Sequence, residues 1–526
     1  MKTKINTLYL VLMALIVALG GFLLGFDSAV ISGAVPFYKN VFGLDSGSWI
    51  LGFSVGSIIA GAIIGNFIGG PFSDYLGRKG VLIITALLFA FCAFGTAFTD
   101  SIVFFVIARI IGGLGVGMAI LVAPMYIAEI SPQKYRGTLV SINQFNIVIG
   151  ISIAYFSNYY ILKTVEDPTM NWRWMLGVGS IPAVLYFLLL FFVPQSPRWL
   201  ALKGRHDEAK KVLVRIGGNE YADQVHAEIL ENVKKAPDPG KSNIKEVFSK
   251  SMATILIIGF GIAFFQQITG INAIFYYAPM IFGMAGGAQD SAFIQAAILG
   301  LTNVLFTIVA MFLIDRLGRK PLLIIGSIGI TLSLSLAAIA FSNATYKVDG
   351  SKVSGMVEAV KASEEKGKDL VLFETGIAKM VGKEYESEVE FFNVVEENIG
   401  ASNYNVFKST ILQNSISMNA ILVLIALIIY VASFAISLGP VMWALLSEIF
   451  PNRHRGLMIS IVGTWNSIVS FAVATVFPVE LEVLGTAGTF MVYAVFGLLT
   501  LLFTLKFIPE TKGQSLEELE VTLMRH

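Results

Sequence analysis

Twelve apolar segments, each long enough to cross ~30 Å of hydrocarbon, dominate the sequence and leave few folds open to it. Their approximate centres fall near residues 22, 60, 89, 114, 150 and 184, and then near 268, 302, 331, 430, 467 and 497. In lipid, every backbone polar group needs a partner within the protein, so segments of this length are expected to be helices. Composition agrees: 55% of the 526 residues are hydrophobic and only 14% are charged, against ~25% charged in a soluble domain. A formal net charge of +1 gives no sign of a nucleic-acid or strongly acidic partner. The single cysteine, Cys92, lies in an apolar segment, where packing is the expected role; no intrachain disulfide is possible. Met1 to Asn6 are short and basic, and the apolar run behind them is too long for a signal peptide, so no cleavage is expected.

The two sets of six are separated by a polar linker, about 195–250, holding eleven Lys/Arg against eight Asp/Glu. Short basic loops (Arg78 and Lys79, Lys134 and Arg136, Arg316 with Arg319 and Lys320, Arg453 and Arg455) all fall on the linker's side. The positive-inside rule makes that side cytoplasmic, with both termini inside. Paired motifs repeat in the same order in both sets. Asp74 to Lys79 (DYLGRK) matches Asp315 to Lys320 (DRLGRK), and Glu129 with Arg136 matches Glu448 with Arg455 at the same spacing of seven. Val193 to Arg198 echoes Ile508 to Gly513. The expected domains are therefore 1–194, a linker with short helices at 195–250, 251–508 and a tail at 509–526. A polar insertion at about 343–413, with twelve acids and eight lysines, interrupts the second half outside the cytoplasm. A small external cap is expected there; a spacer and a partner-binding module remain equally open.

The most unusual stretch is Phe265 to Pro279, inside an apolar segment. It holds Gln266, Gln267, Thr269, Asn272, Tyr276 and Tyr277. At ~100° per residue, Thr269, Asn272 and Tyr276 fall within ~60° of one another, and Gln266 and Tyr277 continue that face. Neutral amides and hydroxyls pair with hydroxyl groups, and aromatic rings stack on the apolar face of a pyranose. Gly270 and Pro279 can break or bend the helix and free backbone groups at membrane depth. A helix–helix interface held by amides is the bland alternative, but it ordinarily needs one or two polar groups rather than six. F-Q-Q-x-x-G-I-N-x-x-x-Y-Y resembles the seventh helix of the sugar porter family, within the major facilitator superfamily, which contains sugar–proton symporters and glucose facilitators.

The first span has one charge, Asp27, and the fourth has one, Arg109. Counted from centres near residues 23 and 114, they sit ~6 and ~7 Å outward at matching depth, which makes them partners in the membrane. A static bridge pinning two helices is one reading. The other is a proton site, with Asp27 ionised while Arg109 is near and protonated when they separate. The resemblance favours the second: Gly25-Phe26-Asp27 follows the form of proton-coupled members, where facilitators carry Asn.

The resemblance also implies the remaining site. Gln144, Gln266, Gln267, Asn272, Tyr276, Asn303, Gly439, Trp443 and Asn466 are expected to contact sugar, with Ile151 and Phe275 at its border, the aliphatic and aromatic pattern of the glucose facilitators. Ser467 stands where a Trp is usual, and Trp465 precedes Asn466 instead; Leu24 stands where an aromatic is common. Asp74, Arg78, Glu129, Arg136, Asp315, Arg319, Glu448 and Arg455 are expected to form a cytoplasmic gate, their carboxylates pairing with Arg78 and Arg319 across the two halves. Gln195 replaces a usual Glu, which puts one gate contact in question, and Tyr75 replaces a basic residue.

The expected fold is all-α: twelve transmembrane helices in two six-helix halves around a central cavity, the major facilitator fold. The expected function is proton-coupled uptake of a monosaccharide, a hexose or pentose, across the cytoplasmic membrane, with protons as coupling ion and neither cofactor nor metal. Sugar and membrane lipid are the expected partners. An uncoupled facilitator, a polyol or inositol symporter, and a membrane sugar sensor are the alternatives. An enzyme is not expected, since no nucleophile or metal set appears in the spans and all four histidines lie outside them.

Overall fold

A computed structural model describes residues 5–44, 47–235, 244–362, 369–451, 454–514 and 519. Arg453, part of one basic loop, and most of the tail after residue 514 lie outside the described residues. The first half comprises α1 (Thr7–Val41), α2 (Trp49–Phe98), α3 (Ile102–Ile130), α4 (Arg136–Thr164), α5 (Pro168–Gly177) and α6 (Ser180–Leu190). The linker holds α7 (Pro197–Leu202), α8 (His206–Lys235) and α9 (Ile244–Val247). The second half begins with α10 (Ala253–Ile268), α11 (Ile271–Met284), α12 (Gln289–Leu317) and α13 (Arg319–Ser342). Then follow β1 (Thr345–Lys347), α14 (Gly350–Ala362), α15 (Leu370–Ala378), β2 (Glu384–Tyr385), α16 (Glu388–Ser415) and β3 (Ile416–Ser417). The chain closes with α17 (Ala420–Ile436), α18 (Leu438–Ile449) and α19 (Arg455–Phe507).

Ten stretches among the described residues are long and apolar enough to cross a membrane. Two of them, α2 and α19, are each divided by a glycine with positive φ, Gly77 at 80° and Gly485 at 68°. The result is twelve spans. The sixth is α5 with α6, the seventh α10 with α11, and the tenth α17 with α18.

Span starts follow local chemistry. Ser48, Ser101 and Asn419 each accept a first-turn backbone N–H, satisfying a donor that the helix itself leaves open. Within the first half, Gly61 and Gly65 of α2 face Gly113 and Gly117 of α3. A Cβ at Gly113 would lie 2.1 Å from the Ile58 carbonyl oxygen, so the two backbones touch in a way that only glycine permits.

The two halves meet closely on the side away from the linker. There a Cβ at Gly52 of α2 would strike the Thr475 carbonyl of α19 at 1.9 Å, and Lys163 at the end of α4 pairs with Asp290 at the start of α12.

Over this side stands the insertion. Its strands form a three-stranded antiparallel sheet of order β2-β1-β3. Tyr346, Phe373, Ile377, Phe391, Val395 and Ile411 are among the side chains of a hydrophobic core separate from that of the spans. The ordered cap therefore runs to Ser417, slightly past the insertion read from polarity alone, because β3 pairs back on β1, Thr345 opposite Ser417.

Candidate functional site

Span seven breaks at Gly270, whose φ of +91° no residue with a side chain adopts without strain; a Cβ there would also meet the Tyr493 ring at 2.7 Å. The break brings four amides together. Gln267 Nε2 donates to Asn466 Oδ1 at 3.0 Å and to Gln266 Oε1 at 3.2 Å. Asn272 Nδ2 donates to Gln267 Oε1 at 2.8 Å, and Asn466 Nδ2 to Gln266 Oε1 at 2.8 Å. Gln266 Nε2 anchors the group on the Leu438 carbonyl at 2.9 Å, with the Gly439 carbonyl at 3.5 Å, at the α17–α18 break. Neutral amides both donate and accept, so the cluster can exchange partners with a polyhydroxylated solute while carrying no net charge.

The break also corrects the helical face read from spacing. A left-handed residue resets the rotation, so Thr269 and Tyr277 leave the group. Thr269 Oγ1 donates back to the Gln266 carbonyl at 3.2 Å, and Tyr277 OH donates to the Ala474 carbonyl at 3.1 Å. Tyr276 stays, buried beside Ser28 and within electrostatic reach of Asp27 and Arg109.

The other expected contacts are more scattered. Asn303 is buried on α12 and has no recorded bond to the amides. Trp443 is 40% exposed, its ring edge beside Gly463, and Gln144 is exposed on α4. Trp465 does not replace the missing tryptophan: it stacks on Phe264, with ring centroids 6.5 Å apart. Ile151 and Phe275 are both buried, and the Phe275 carbonyl accepts the Tyr155 hydroxyl at 2.6 Å, joining the halves. Sequence reasoning passed over Tyr155 and Ser470. The Ser470 hydroxyl accepts from Asn272 at 2.6 Å; it lies four residues after Asn466, hence on the same helix face, which was the available signal.

Asp27 and Arg109 meet as the spacing predicts. Arg109 Nη1 lies 3.5 Å from Asp27 Oδ2, and the guanidinium is 1% exposed against 17% for the carboxylate. Arg109 Nη2 donates to the Val55 carbonyl at 3.2 Å, while Arg109 Nε, Nη1 and Asp27 Oδ2 find no hydrogen-bond partner among the described residues. The pair is attractive but loosely bonded, a poor way to pin two helices, since a buried ion pair stabilises only when its geometry and remaining hydrogen bonds are good. Cys92 Sγ stands 4.0 Å from Asp27 Oδ1, so the cysteine packs beside this pair.

On the linker side, the gate residues pair within each half rather than across the halves. Arg78 Nη2 holds Glu129 at 2.9 Å and Nη1 holds Asp74 at 3.2 Å. Arg319 Nη2 holds Glu448 at 2.7 Å and Nη1 approaches Asp315 at 3.5 Å. The glycines before the two arginines, Gly77 and Gly318, turn each arginine back onto its own half. Arg136 is exposed, and Arg455 Nε donates to the Phe450 carbonyl at 3.2 Å; neither is paired with the gate glutamates among the described residues. Gln195 keeps the expected contact despite replacing a glutamate: its Oε1 accepts the Lys79 N–H at 3.0 Å, as Glu510 Oε2 accepts that of Lys320 at 3.1 Å.

Residues 13–360 and 400–523 match the sequence model of a family described as "Sugar (and other) transporter", leaving 361–399, inside the cap, unmatched. The chain is 34% identical to the arabinose-proton symporter of Bacillus subtilis over 97% of this chain and 94% of that protein. It is 33% identical to the D-xylose-proton symporter of Escherichia coli K12, over 99% and 97% of the two chains. An inward open structure of the E. coli xylose transporter superposes with a TM-score of 0.73 at 32% identity, covering 97% of this chain and 98% of that one. With its twelve spans in two halves, this multi-pass membrane chain is a transporter and belongs to the sugar porter family of the major facilitator superfamily.

Proposed function

We propose that this protein is a proton-coupled symporter that takes up a neutral monosaccharide by alternating access. One observation carries the reading: the chain holds both a four-amide neutral cluster at the break in span seven and a loosely bonded Asp27–Arg109 pair between spans one and four. Gln266, Gln267, Asn272 and Asn466 bind the solute hydroxyls, with Tyr276, Gln144, Asn303, Gly439 and Trp443 completing the site as the halves rock. Displacing amide–amide bonds for amide–hydroxyl bonds is close to an even exchange, so affinity comes from fit rather than from unmet polar groups. Asp27 takes and releases the proton as its distance to Arg109 changes, and sugar and proton bias the same two-state equilibrium. The linker side is cytoplasmic, with both termini inside, and the insertion stands outside. Asp74, Arg78 and Glu129, mirrored by Asp315, Arg319 and Glu448, hold the linker-side ends of each half as rigid units, with Arg136 and Arg455 placed to engage when that side closes. The named symporters of arabinose and xylose support the reading; the Ile151 and Phe275 border extends it to hexoses.

Uptake of labelled glucose, xylose and arabinose into proteoliposomes, with and without a pH gradient, tests it. Gradient-driven accumulation of at least one is expected. Uptake that only equilibrates, whatever the gradient, would assign a facilitator instead.

A further inference from the structure

A cavity of about 470 Å³ lies on the cap side, apart from the amide cluster. This is within the ~300–1,000 Å³ typical of ligand sites. Three bodies build its wall: Phe37 and Asn171 from the first half, Phe293 and Glu482 from the second, and Phe392 and Lys408 from the cap. The cap is fixed to the second half. Lys408 Nζ pairs with Glu482 at 2.6 Å, and the Glu388 carboxylate accepts the Thr486 N–H at 2.9 Å and its hydroxyl at 3.2 Å. These ties engage Lys408, Glu482 and Glu388, and Asp290 pairs with Lys163; with Lys39 and Glu166 the lining carries charges of both signs, which suits a polyhydroxylated neutral solute better than an ion of either sign.

Neutral hydrogen-bonding groups and aromatic surface lie among these charges. Asn171 is 3% exposed, and its amide oxygen has no hydrogen-bond partner among the described residues. A buried acceptor left unmet is costly unless something donates to it. Phe37 and Phe293 stand with ring centroids 6.3 Å apart, and Lys408 Nζ lies 4.4 Å from the centre of the Phe392 ring. The floor is Pro279 and Met280 of α11. Asn272 lies seven residues back on that helix, ~10 Å away along its axis, beyond the Tyr155–Phe275 contact that joins the halves.

We propose that the cap and the facing ends of both halves form a second binding chamber, which holds a neutral monosaccharide before it reaches the amide cluster. This rests on the sugar-transport reading above. The chamber is a consequence of the cap, part of which the family's sequence model leaves unmatched, and it loads while the route to the central site is shut. Because α11 forms both the chamber floor and one wall of the central cluster, a solute in the chamber is positioned at the mouth that opens when the halves rock.

The test uses the full chain in right-side-out vesicles with Thr410→Cys in the chamber wall. The native cysteine, Cys92, is buried, so a membrane-impermeant maleimide reports on position 410. Glucose and xylose are each added at saturation, with uptake measured in parallel. The labelling rate should fall at least threefold, and the fall should persist when Gln267→Ala and Asn272→Ala disable the central cluster. Protection that disappears with the central cluster would overturn the proposal, since it would then report central binding felt at a distance. Uptake without protection by any transported sugar would overturn it while leaving the transport reading intact. Absence of both overturns both.

Discussion

The two halves share a fold but handle polarity in opposite ways. In the first half, the polar centre is a pair of full charges, Asp27 and Arg109, in loose contact and with unmet hydrogen-bonding atoms. In the second, it is four neutral amides that satisfy one another. A charge in a low-dielectric interior is sensitive to small movements and to protonation; an amide network is not. On the roles proposed above, the contrast lets one protein recognise an uncharged solute and respond to protons without either function spoiling the other. Tyr276, carried by the second half four residues after Asn272, is buried near the first half's charges.

The largest test removes the charge balance. Arg109→Ala leaves Asp27 buried without a partner and should destabilise the protein by about 3–5 kcal/mol, the usual cost of breaking a buried pair from one side. Thermal unfolding of the purified variant measures it, and an unchanged melting temperature would mean that the pair is already broken in the resting protein.

Asp27→Asn keeps the shape and removes the titration. It should reduce gradient-driven accumulation to the level seen without a gradient, while sugar–sugar exchange continues at a rate within a few-fold of the parent. Concentrative uptake surviving in this variant would move proton coupling to another acid and erase the division between the halves.

On the neutral side, Gln267→Ala or Asn466→Ala should weaken sugar binding by about 1–3 kcal/mol, because each leaves a sugar hydroxyl buried in the complex without its partner. By calorimetry that is roughly a 5- to 150-fold rise in Kd, with proton coupling ratio unchanged. An altered coupling ratio would show that the amides and the charges are not separate devices.

Asn303→Ala should have the smallest effect on sugar binding, under about threefold in Kd, since Asn303, buried on α12, makes no hydrogen bond to the amide network. A loss as large as that of Gln267→Ala would place α12 in the sugar site alongside α11.

Much of this was legible in the sequence, for physical reasons. Hydrocarbon imposes a length on each span, so twelve apolar runs could be counted. Lone charges in such runs need partners, so Asp27 and Arg109 could be matched by depth. Six polar groups in one apolar segment marked it as unusual, although two of them, Thr269 and Tyr277, bond backbone carbonyls instead of joining the amides. What escaped was anything that depends on a backbone angle or a choice of partner. Gly270 was visible as a possible break, but only its left-handed conformation shows that Tyr277 turns away from the amides. Arg78 and Glu129 were visible as a pair of types; that they close within one half depends on the turn at Gly77, which spacing does not encode. Gln195 looked like a lost contact, yet an amide oxygen accepts a backbone N–H as a carboxylate does. The cap's hydrophobic core was hidden because its apolar residues are spread among short helices, with no single run long enough to stand out from a charged background.

The pairing of Thr345 with Ser417 has a consequence for how such a protein is built and rebuilt. The chain leaves span nine and returns toward span ten through neighbouring strands, so the membrane part is held as it would be by a short turn, however many residues lie between. Loop-closure entropy grows only slowly with length, and here the closure is made inside the cap's own sheet. That geometry makes the position an acceptor site for grafting. A foreign domain whose termini lie side by side could be exchanged for the cap without stretching either span, and the cap itself could be moved onto a relative that has only a turn there.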